Sequence, residues 1–136
     1  MTTLRVLMHV VLLSCSAFAG EWFAKVIDAP TYPILANQAR IEGVVQLKLV
    51  VDGNGVVLRA DVVSGNQVLA RAAQDNIRKW KFVAPCSAGP KTIDFTYEFK
   101  LEGEVEEHPR TIFRYEHPYK VIVESQAVHW MPAGKQ

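Results

Sequence analysis

The sequence predicts an α+β two-layer sandwich, and three observations carry that expectation. Apolar and polar residues alternate along 44–51, 56–63 and 92–101, the period of strands with one buried face. The stretch 66–82 instead repeats its apolar residues at three- and four-residue steps, the period of a helix. Between the first two strands, Asp52-Gly53-Asn54-Gly55 reads as a tight antiparallel turn. The order helix, strand, strand, helix, strand gives a small antiparallel sheet of three core strands. Two helices cover its apolar face, and C-terminal strands are a possible addition.

The chain divides into residues 1–19 as a signal, 20–29 as a short linker, 30–103 as the domain and 104–136 as a C-terminal extension. The signal carries one positive charge at Arg5, an apolar run Val6 to Leu13 and an Ala17-Phe18-Ala19 site, so cleavage is expected after Ala19. As a helix, Val6 to Ala19 would reach about 21 Å at ~1.5 Å per residue, short of the ~30 Å of bilayer hydrocarbon, so a spanning anchor is not expected. A competing reading takes Leu12-Leu13-Ser14-Cys15 as a lipobox with Cys15 lipidated, to which Leu13 is a poor fit; an uncleaved tether is a third. After cleavage Cys86 alone remains. It reads as a half-buried loop residue rather than as an intermolecular disulfide, since no second Cys accompanies it.

Asp28-Ala-Pro-Thr-Tyr-Pro33 is stiff and extended, because each proline restrains itself and its predecessor. Pro33 then suits the start of a short helix over 33–41, with Gly43 after its end. In the first strand, Val45, Leu47, Leu49 and Val51 share the apolar face. In the second, Val56, Leu58, Ala60 and Val62 alternate with Val57, Arg59, Asp61 and Val63. Asn66 or Ser64 can cap the second helix, whose stripe is Leu69, Ala73, Asn76 or Ile77, and Trp80. Ala84-Pro-Cys-Ser-Ala-Gly-Pro90 breaks the chain. The third strand turns Ile93, Phe95, Tyr97, Phe99 and Leu101 inward and Thr92, Asp94, Thr96, Glu98 and Lys100 outward.

Fifteen Lys and Arg nearly balance fourteen Asp and Glu, which gives no pull towards nucleic acid. No nucleophile has an orienting partner: Ser64 and Ser87 lack a motif and Asp61 stands beside Arg59. The Asp52–Gly55 turn has neither the helix start nor the Lys of a phosphate-binding loop. Neither an enzyme, a cofactor nor a small-molecule substrate is expected. His108, His117 and His129, with Glu106, Glu107 and Glu116, match no metal-ligand spacing and read as solvated surface.

Residues 102–108 read as a solvated acidic linker. Beyond it, 111–115 and 120–125 read as two strands around Glu116-His117-Pro118. The nearest unpaired edge is the third core strand. The tail is expected to lie along it or to form a separate hairpin, and to be removable with the fold intact.

Tyr32-Pro33, Ala36, Glu42-Gly43, Asp52-x-x-Gly55, Ser64-Gly65, Ala72-Ala73, Lys79-Trp80-Lys81-Phe82 and Pro85 occur in this order and spacing. Over roughly residues 30–101 the chain resembles the TonB C-terminal domain family. The resemblance implies a periplasmic protein of a Gram-negative envelope. It implies a domain that adds an extended peptide segment of an outer-membrane transport partner beside the last strand of its sheet. On this chain that edge is Thr92, Asp94, Thr96, Glu98 and Lys100, with Tyr32 and Pro33 bordering the groove. A strand edge can do this because its N–H and C=O groups are unpaired. Strand-swapped self-association, as a homodimer in a structural or assembly role, is the alternative use of the same edge.

Overall fold

The structure is a computed structural model and describes residues 22–85, 89–103, 105 and 108–128. The signal segment, Cys86, Ser87, Glu104, Glu106, Glu107 and His129 lie outside the described residues, and so do the expectations that rest on them. The element order is β1 (Phe23–Val26), α1 (Ile34–Gln38), β2 (Gly43–Val51), β3 (Val57–Ser64), α2 (Gln67–Ile77), β4 (Lys81–Val83), β5 (Lys91–Leu101), β6 (Thr111–Glu116) and β7 (Lys120–Ser125).

Five strands form one sheet in the order β3-β2-β5-β7-β6. β2 pairs antiparallel with β3 and with β5, and their alternation places Val45, Leu47, Leu49, Ile93, Phe95 and Tyr97 in the core. Helix α2 packs on β2 and β3, and α1 packs beside α2. The Asn66 side chain caps α2 by accepting from Val68 N at 2.9 Å. Leu69, Ala70, Ala73, Asn76 and Ile77 form its buried face.

Asn76 is polar on that face because three hydrogen-bonding groups converge on its side chain. Tyr97 Oη and Trp80 Nε1 donate to its Oδ1 at 2.7 and 3.0 Å, and its Nδ2 donates to the Asp28 carbonyl at 3.0 Å. Burial pushes the Tyr97 phenol far above its ordinary pKa, so it stays a neutral donor.

The structure departs from the sequence-based expectation in four places. The stretch 20–29 is not simply a linker: β1 pairs with β4 in a two-stranded ribbon, and Trp22 is in the core. The second helix ends at Ile77, and Trp80 and Phe82 enter the core from a turn and a short strand. In β3 the alternation slips, because the pairing is irregular between Val51↔Val57 and Val50↔Arg59; Val57 and Ala60 both face inward and Leu58 is exposed. The three core strands pair antiparallel as expected, but the tail adds β7 parallel to β5, so the five-stranded sheet is mixed. The tail, expected to be removable, supplies Val121 and Val123 to the same core.

The turn at 52–55 is fixed by Asp52, whose carboxylate accepts from Asn54 N and Val56 N, both at 2.9 Å. Gly55 has φ +82°, and its carbonyl accepts from Phe82 N at 2.8 Å, so the turn rests directly on β4. A Cβ at Gly55 would lie 1.6 Å from the Phe82 carbonyl oxygen. Gly55→Ala therefore adds a left-handed backbone penalty to a backbone collision, and should cost at least ~2 kcal/mol in urea unfolding. Gly89→Ala, where nothing lies within 4 Å, should leave the midpoint unchanged.

Candidate peptide-binding edge

A β-strand turns the N–H and C=O of alternate residues to alternate sides. On β5 the odd-numbered residues bond to β2, so Thr92, Asp94, Thr96, Glu98 and Lys100 turn their backbone groups to the other edge. From Thr96 onwards β7 occupies that edge, in register from Thr96↔Lys120 to Leu101↔Ser125. Thr96 N donates to Tyr119 O, and Glu102 N donates to Ser125 O, each at 2.9 Å. Thr92 and Asp94 precede the first β5–β7 pair, and both are exposed.

Several interactions hold the tail. Val121, Ile122 and Val123 are all at most 4% exposed. Their burial is worth ~5–9 kcal/mol at most. Across the outer face, Lys100, Glu98, Lys120, Glu116 and Arg114 form a chain of alternating charge over three strands. Its closest contact is Lys120 Nζ to Glu98 Oε2 at 2.9 Å. On the other face Tyr119 Oη donates to the Trp22 carbonyl at 3.0 Å, and Tyr115 packs edge-on against Trp80. Burial raises the Tyr115 phenol, against a hydrogen bond from the Ala24 backbone.

Tyr32 lies against the core side of β5, and Pro33 follows it at the start of α1. Tyr32 is buried, packs edge-on against Phe99 with centroids 5.5 Å apart, and donates to the Ile41 carbonyl at 2.6 Å. Its phenol is pushed up to about 12, first by burial and then by the Glu42 charge. Pro33 precedes α1, and its carbonyl accepts from Asn37 N. Sequence reasoning did not single out Asn37 and Arg40 of the α1 region. Asn37 is 2% exposed and bonds to residues 125–128, and Arg40 reaches Val128. Among the described residues no group of three or more His, Cys, Asp or Glu is placed to hold a metal ion. Among them, too, no helix is long and apolar enough to cross a membrane.

The family model described as "Gram-negative bacterial TonB protein C-terminal" matches residues 28–101, more than half of the chain. The chain belongs to the TonB C-terminal domain family. It is 43% identical over 70 residues to Protein TonB of Xanthomonas campestris pv. campestris strain B100, and equally to that of strain ATCC 33913. Each match covers 50% of this chain and 31% of the relative, so the chain spans about a third of these relatives' length. The solution structure of the Pseudomonas aeruginosa TonB C-terminal domain is similar with a TM-score of 0.50 and 26% identity, over 61% of this chain and 89% of that one. The family match ends at Leu101, the last residue of β5, so the hairpin that covers β5 lies outside it.

The charge chain makes the TonB-family domain's hold on its tail pH-dependent. Glu98 is held below its ordinary value of 4.5 chiefly by the Lys120 hydrogen bond; the Lys100 charge adds to this and partial burial opposes it. A depressed carboxylate contributes stability above its unfolded pKa and loses it as pH falls through the folded value. Lys120 is raised above 10.5, chiefly by the Glu98 hydrogen bond, so its contribution is present below that pH and lost as pH rises through the folded value. The link is therefore complete between about pH 5 and pH 10. In urea unfolding Glu98→Gln should lower the midpoint at pH 7 and make its fall below pH 4.5 shallower.

Proposed function

We propose that this chain is an exported, TonB-like binding module of the Gram-negative envelope that serves transmembrane transport. It grips an extended peptide segment of an outer-membrane or envelope transport partner by strand addition to β5. Export uses the signal cut after Ala19, with lipidation at Cys15 as the competing route. The receptor edge is Thr92, Asp94, Thr96, Glu98 and Lys100, with Tyr32 and Pro33 bordering the groove.

The observation that carries this reading is the parallel β7 strand on β5. It supports the edge as a receptor, because an extended segment already sits there with its backbone paired and its β-branched side chains buried. Five or six backbone bonds at ~0.5–1.5 kcal/mol each give an incoming strand a comparable gross gain, from which ordering costs are subtracted. The resident strand competes, so apparent affinity equals intrinsic affinity scaled by the fraction of chains with the edge free. A partner segment gains the edge by adding contacts elsewhere or by loosening the tail. A hairpin exchanged between two copies would keep the same pairs, which is the physical basis for strand-swapped self-association as a second use of this edge.

The test loosens the tail without touching β5. Tyr119→Phe removes the hydroxyl that donates to the Trp22 carbonyl. It should raise the affinity for extended peptide segments of outer-membrane transporters about fivefold, the equivalent of ~1 kcal/mol, in fluorescence anisotropy. Unchanged or weaker binding by the folded variant would contradict competition at β5. Light scattering of the same samples reports any swapped dimer.

A further inference from the structure

The end of the α1 region grips the tail in a way that its packing does not require. Asn37 Nδ2 donates to the Gln126 carbonyl at 2.8 Å, and Asn37 Oδ1 accepts from Val128 N at 2.8 Å. The same Nδ2 lies 3.3 Å from Ser125 Oγ. One side-chain amide thus satisfies the C=O of one residue and the N–H of the residue two further on. A neighbouring strand makes the same pair of bonds in a parallel ladder. Arg40 adds a third contact, from its guanidinium to the Val128 carbonyl at 3.0 Å.

Two features set this apart from ordinary helix packing. Asn37 is buried, and a buried carboxamide is costly unless its partners are in place. All its side-chain partners lie in residues 125–128, so their departure leaves it unpaired unless another chain takes their place. Arg40 has φ +57°, a left-handed backbone that glycine adopts far more readily, and that conformation ends α1. Strain kept at a site whose side chain holds a backbone carbonyl is consistent with a binding role.

We infer that Asn37 and Arg40 form a clamp that reads the backbone of whichever extended segment lies on β5. This rests on β5 being a receptor edge, and it adds what fixes direction and register there. The clamp lies beyond the C-terminal end of β7, so it recognises a segment parallel to β5. It asks for a free C=O and then, two residues on, a free N–H. Side chains at those two positions are not read. The ligand class is an extended polypeptide with β-branched residues at the Val121 and Val123 positions and no proline at the Val128 position.

The experiment uses the full chain with a protease site inserted between Gly103 and His108, cut so that every residue is retained. Labelled peptides spanning 108–128 are exchanged against the resident segment. One is all-amide; the other has an ester in place of the Val128 N–H. With the unmutated nicked chain the ester should bind about fivefold more weakly. With Asn37→Ala both peptides should bind equally, and both more weakly than the all-amide peptide binds the unmutated chain. Arg40→Ala, at an exposed site, should weaken both peptides by about the same few-fold while the ester penalty persists. Equal ester penalties with and without the Asn37 side chain overturn the clamp and leave the receptor edge standing. An all-amide peptide that never displaces the resident segment overturns the receptor edge and the clamp with it. Should Asn37→Ala fail to fold by Trp fluorescence, Asn37→Ser takes its place in the same comparison.

Discussion

The structure depends on what satisfies the outward backbone of β5. This strand is the hinge of the sheet: β2 pairs with it along its length, and its other edge would leave N–H and C=O groups of its second half without partners if β7 were absent. Chains do not leave such an edge unmanaged, because it templates pairing with any extended segment nearby. Here the cover is the chain's own C-terminal hairpin, laid down in parallel. The connection from β5 back to β7 therefore runs through residues 102–110 and through β6, which becomes the new outer edge.

That arrangement gives one strand two roles. β7 completes the core through Val121 and Val123, and it also occupies the edge on which the family resemblance places a partner segment. The two roles pull against each other. Tight packing stabilises the domain and raises the cost of opening the edge. The interactions that hold β7 fall on both faces: Tyr119 on the core side, and the Lys120–Glu98 pair on the outer side. Each is a place where a modest change loosens the strand without removing the core beneath it.

The sequence was legible where a segment is long and has one buried face. The alternation in 44–51 and 92–101 named the inward residues of β2 and β5 correctly, because each strand faces the helix layer on one side and water or charge on the other. β7 was harder to orient because Val121-Ile122-Val123 is apolar without alternation. The structure supplies the reason: a strand in the interior of a mixed sheet is covered on both faces, here by the core and by the charged chain over Ile122. β1 and β4 are not legible because strands of four and three residues carry too little period to read, and Trp80, just before β4, continues the helical stripe by coincidence. The Asn37 clamp was invisible for a different reason. Its partners lie about ninety residues further along the chain, and no local pattern marks an asparagine as buried.

Hydrogen exchange tests the central claim most directly. In the free chain the amides of Thr96, Glu98 and Lys100 are covered by β7, and those of Lys120–Ser125 are held in the sheet. When an extended partner segment binds, the account predicts that Thr96, Glu98 and Lys100 stay protected while Lys120–Ser125 loses protection, because one strand has replaced another. A partner that binds while both sets remain protected would contradict it, since the segment would then be held somewhere other than the edge of β5.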